Sequence, residues 1–168
     1  MIQKRDSVSL SVLSNERAPA PGDRHGERSV ELGRVPVLCC EGACLAGDIA
    51  RLTANQLGKA TGFARACHAE AFMAPGSGTG QWVQQAGRIV VVDGCSMRCH
   101  GTVAEALFGA DRIIHYDIMP MYPAFDDAYQ IDDVPEPVRK AVADSVAERL
   151  LKDLKVRLKD HNEAYLSV

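Results

Sequence analysis

This chain of 168 residues has no long apolar run, few aromatic side chains and no excess of one charge. Each absence excludes something. A membrane-spanning helix needs about 18 or more consecutive apolar residues, and none occur. A formal net charge of -3 leaves no electrostatic footprint for a nucleic-acid partner. The opening residues, MIQKRDSVSLSVLS, lack the apolar core of a secretory leader, so a cytoplasmic location is expected. No GK[ST] occurs, and the glycine-rich GSGTG at 76–80 lacks dinucleotide spacing, so it reads as a flexible link. There is no CxxC redox pair. Nor does any cysteine have an arginine six positions on, as a phosphatase-type loop requires.

What the chain does have is cysteine. All six lie at positions 39, 40, 44, 67, 95 and 99, with none in the first 38 residues or the last 69. In a reducing compartment clustered thiols favour metal binding or thiol chemistry over disulfides. At this length the chain also needs no covalent staples to hold a core.

Residues 1–34 are polar and broken. SVSLSVLS alternates like a short edge strand, ERAPAPGDRHGERS reads as a loop, and His25 within it reads as solvated. From there the pattern alternates. Strands are expected at 34–39, more weakly at 61–67, at 88–94 and at 111–119. The unbroken IVVV of the third suits a central strand covered on both faces. Leu45, Ile49, Leu52 and Leu57 recur at helical spacing before a stop at Gly58. Residues 68–87 mix a loop with a short helix, and 96–110 read as a helix ending at Gly109. A long amphipathic helix is expected over 137–161, with Val138, Val142, Val146, Leu150, Leu154 and Leu158 on one stripe widened by Ala141 and Leu151. This order predicts an α/β fold, a mainly parallel sheet with flanking helices in a Rossmann-like three-layer arrangement, ending in the long helix. The domain reading is an N-terminal extension over 1–34 and a single α/β metal-binding domain over 35–168. The C-terminal helix is expected to pack on its own sheet, with a homodimer through it as the alternative.

Parallel strands bring their carboxyl ends to one edge. Cys39 and Cys40 end the first strand, Cys67 the second, and Cys95 and Cys99 follow the third, so cysteines distant in sequence are expected to meet. Zinc favours closed tetrahedral sets of cysteine or histidine ligands. CEGAC and CSMRC each hold two cysteines with three residues between them, and Cys40 and Cys95 are expected at helix N-termini, which favour thiolate. Arg65 and Arg98 are candidates to offset the negative charge of a thiolate site.

The segment IVVVDGCSMRC, with CCEGAC upstream and Cys67 between, resembles the DGC-domain family, named for its Asp-Gly-Cys motif and proposed to bind zinc. The resemblance covers about residues 36–118. It implies four chelating cysteines: Cys40 in Cys-x-Gly, Cys67 at the next strand end, Cys95 in Asp-Gly-Cys, and Cys99. This chain departs from the pattern in carrying Cys44 where members often have serine, an extra Cys39, and HAEAF after Cys67 in place of small residues. Cys44, Cys39, His68 and His100 therefore stay open as further ligands.

Structural roles compete with these readings. Buried cysteine often serves as a small hydrophobe, the reading that suits Cys39. His115 reads as a satisfied strand residue, His161 as solvated, Met73, Met97, Met119 and Met121 as packing, and Asp126, Asp127, Asp132 and Asp133 as a solvated loop. Four thiolates also suit an iron–sulfur cluster. A thiol-dependent enzyme using Cys95 or Cys40 as nucleophile is the third class. The order of Ser, His and acidic residues assigns no catalytic set.

Overall fold

The computed structural model describes residues 21–125 and 131–165, the stretch 160–165 as backbone alone. Four strands, β1 (Val35–Cys39), β2 (Phe63–Arg65), β3 (Ile89–Asp93) and β4 (Ile113–Asp117), form one parallel sheet in the order β2-β1-β3-β4. The central β3 pairs with β1 from Val90 against Val37 to Val92 against Cys39, and with β4 from Ile89 to Asp93. All five of its residues are buried. Its side chains alternate between two cores, as the pleat demands. Val90 and Val92 join α2 (Leu45–Leu57) and α6 (Glu136–Tyr165) on one face. Ile89 and Val91 join α3 (His68–Met73), α4 (Gly78–Gln85) and α5 (Cys99–Phe108) on the other. The expected three-layer α/β fold is what forms.

Helix α6 lies on the sheet and α2 through Ala143, Val146, Ala147, Leu150 and Leu154, all essentially inaccessible. The expected stripe shifts at its start. Val138 and Ala141 face solvent, and Ala143 and Ala147 widen it instead, because two small side chains let α6 approach α2 closely. Among the described residues no helix is long and apolar enough to cross a membrane.

Two loop readings are corrected. Residues 21–31 form a helix, α1 (Pro21–Glu31), packed on α4. The GSGTG link is the start of α4, where Ser77 accepts a hydrogen bond from Gly80 N at 2.9 Å. Local composition misleads here because tertiary packing decides. Gly78 N donates to Asp23 Oδ1 at 2.8 Å, Thr79 Oγ1 to the Gly22 carbonyl at 2.9 Å, and His25 Nε2 to the Arg65 carbonyl at 2.7 Å. His25 also meets the buried Trp82 edge-on while remaining exposed, as expected of it. The two helices touch at backbone level: a β-carbon on Gly26 would lie 2.1 Å from the Gly78 carbonyl. Gly26→Ala is therefore expected to cost about 1–3 kcal/mol through overpacking, read as a lower denaturant midpoint at unchanged slope. The SVSLSVLS stretch, Asp126 and Asp127 lie outside the described residues, as does the His161 side chain. Asp132 and Asp133 are exposed, as a solvated loop would be. Met73, Met97 and Met119 are exposed rather than packed, and only Met121 of the four rests on the core.

Candidate metal centre

The chain runs from β1 outward to β2, then crosses back so that β3 lies on the other side of β1. The strand order thus reverses between β1 and β3. In open α/β sheets the crevice outside the strand carboxyl ends at such a switch point is where ligands bind. Cys40 leaves β1 there, its N–H bonded to the Val92 carbonyl at 2.9 Å, while Asp93, Gly94 and Cys95 leave β3 beside it. Gly94 is required by close approach, since a β-carbon there would lie 2.3 Å from the Ala46 carbonyl oxygen at the start of α2.

Asp93 is the anchor of this turn. It is 2% exposed, yet its carboxylate accepts from Gly101 N at 2.8 Å, His100 N at 3.3 Å and His115 Nε2 at 2.9 Å. Burial alone would raise its pKa, but these hydrogen bonds, that of His115 first, hold it below the usual carboxylate range. Gly101 and His100 belong to the first turn of α5, whose N–H groups have no intrahelical partners. The residue preceding that helix, Arg98, makes no side-chain cap and takes the left-handed conformation at φ 51°. Asp93 therefore does the work of an N-cap from the end of a neighbouring strand, where a carboxylate also favours the helix dipole. His115 is satisfied, as expected of it.

One group of donors is compact. Among the described residues, Cys40, Asp93 and His100 each offer a ligand atom within 4.8 Å of the others. Cys40 Sγ accepts from Gly42 N at 3.4 Å. Burial raises the Cys40 thiol, despite the Gly42 and Gly94 N–H groups that favour thiolate, which is the opposite of what an activated nucleophile needs. Burial, reinforced by His68, lowers His100 against the pull of Asp93 and Glu41, which favours the neutral imidazole, the form that binds metal. His100 Nδ1 is buried and has no hydrogen-bond partner. A thiol, a carboxylate and an imidazole with an orphaned buried nitrogen form a donor set that fits a metal ion.

The remaining cysteines do not join this group. Cys67 directly precedes α3 and is exposed, Cys99 is the first residue of α5 and is exposed, and Cys95 is half-buried in the turn before it. Cys44 caps α2, its Sγ accepting from Gly47 N at 3.4 Å. The helix starts thus stand at Cys44, Cys67 and Cys99, rather than beside Cys40 and Cys95 as the sequence suggests. Cys39 is fully buried in the core, and burial pushes its pKa up to about 12. At pH 8 only about one part in ten thousand of such a thiol is thiolate, the reactive form. Alkylation of the metal-free native protein is therefore expected to modify Cys67 and Cys99 first and Cys39 only on unfolding, as mapped by peptide mass spectrometry. Early labelling of Cys39 would contradict its place in the core. Arg65 and Arg98 are already engaged with carboxylates, Arg65 with Glu41 at 2.8 Å and Arg98 with Glu105 at 2.5 Å. Arg65 also bonds the Val37 carbonyl at 2.9 Å and Asn55 at 3.0 Å, tying β2 to β1 and α2.

Sequence reasoning placed the cysteines at the right edge but missed Asp93 as an anchor. The available signal was an acidic residue ending the most apolar strand, where burial demands partners. Neither a curated protein nor a solved structure matches the chain. A family model does, that of the DGC domain, over residues 36–115, which takes in all six cysteines, the Asp93 anchor and His100. Over that segment the chain is similar to the DGC-domain family.

Proposed function

We propose that the protein binds one zinc ion at the carboxyl edge of its sheet, held by thiolates of Cys40, Cys67, Cys95 and Cys99, within one metal-binding domain spanning 35–168 and working in the cytoplasm. The observation that carries this reading is the compact Cys40–Asp93–His100 group at the topological switch point, with an unpartnered buried nitrogen in it. The other three cysteines lie on the turns and helix starts after β2 and β3. Thiolate ligands need a reducing compartment to stay available. Bound there, zinc would supply a fixed cross-link between segments that follow separate strands. Cys40 would ligate from the β1 end, and Asp93 would hold the α5 start in place through its backbone bonds.

The test is purification of the full chain under anaerobic conditions, followed by metal analysis and a visible spectrum. About one zinc per chain and no colour is the expected result. A brown protein containing iron and sulfide would replace zinc with a cluster. Metal-free protein that takes up neither would overturn the reading.

A further inference from the structure

Resting on that zinc reading, we infer that His100 is itself a ligand, through Nδ1 beside Cys40, in place of one of the two exposed thiolates, Cys67 or Cys99. The site is then of mixed sulfur and nitrogen type rather than four thiolates. Three observations lead there. His100 Nδ1 is buried with no partner, and leaving such a group unpaired is costly. Asp93 does not satisfy it, because Oδ1 stands 4.0 Å away, beyond hydrogen-bond reach. Yet a ring nitrogen of His100 lies within 4.8 Å of Cys40 Sγ.

The ring is also held in position. His100 is the second residue of α5, and its backbone N–H is tied to Asp93. Its imidazole packs edge-on against His68 with centroids 4.9 Å apart, and lies 6.0 Å from the Phe72 ring. A ligand fixed by its surroundings loses little freedom on binding. Electrostatics point the same way. Zinc with four thiolates carries two net negative charges, and this site would place them beside the buried Asp93 carboxylate. The two nearby arginines are bonded to Glu41 and Glu105. A neutral imidazole in place of one thiolate removes one of those charges.

The experiment titrates zinc into the metal-free full chain against a chromophoric chelator and records the optical spectrum of the cobalt(II) form. His100→Ala is expected to weaken zinc binding by at least about tenfold, while His68→Ala stays within about threefold. His100→Cys is expected to restore binding, with cobalt bands at longer wavelength as sulfur replaces nitrogen. The wild-type chain gives a check that needs no variant: the His100 Nδ1 nitrogen resonance should shift on zinc addition. Unchanged affinity and cobalt spectrum in His100→Ala, or a loss confined to His68→Ala, would overturn the role of His100 and leave the zinc reading standing. A wild-type chain that binds no zinc overturns both.

Discussion

Cys40→Ser is expected to empty the metal site, with zinc affinity falling by more than about a hundredfold while the fold persists. Of the six cysteines, Cys40 alone belongs to the compact donor group with Asp93 and His100. It leaves β1 at the switch point, and its backbone is fixed by the Val92 carbonyl. Serine keeps the size and the Gly42 N–H contact but offers a hydroxyl that does not ionise at neutral pH. Metal content and chelator competition read the change. By contrast, Cys39→Ser would affect stability, because it puts a hydroxyl into the core between the sheet and α2. Wild-type retention of zinc by Cys40→Ser would remove Cys40 from the site.

Asp93→Ala is expected to be among the most destabilising single changes, costing roughly 3 kcal/mol even without metal. The substitution strips three partners at once: the Gly101 and His100 N–H groups of the first turn of α5, and His115 Nε2 on β4. Gly101 is buried and His100 and His115 are half-buried, so water compensates poorly. Asp93→Asn keeps an oxygen acceptor and the shape but loses the charge that favours the helix start and pairs with His115, so it should cost about half as much. Denaturant unfolding of the metal-free chain measures both and separates this anchoring role from metal loss. Equal stability of all three proteins would contradict it.

These residues show what sequence could and could not reveal. IVVV is apolar at every position, and a strand buried on both faces is what such a run encodes; β3 is that strand. The alternation of strands and helices fixes parallel pairing, and that pairing alone carries Cys40, Cys67 and Cys95 to one edge. The long helix was legible because its leucines and valines repeat every four residues, although its first turn shifts toward Ala143. Helix α1 was not legible. Pro21, Gly22 and Gly26 argue locally for a loop, and the helix exists because Gly26 lets it touch the backbone of α4. Rules for helix caps look one residue before the helix, where Arg98 stands, whereas the cap of α5 comes from Asp93 at the end of β3. The unpartnered nitrogen of His100 has no sequence signature at all; it depends on which groups the fold places around the ring.

X-ray absorption at the zinc edge of the loaded full chain tests the central claim most directly, because it counts the atoms that touch the metal. The account predicts a shell of about three sulfurs at about 2.3 Å together with one nitrogen at about 2.0 Å. A shell of four sulfurs would contradict the His100 ligand and keep the four-thiolate site, and a shell of oxygen and nitrogen without sulfur would contradict both.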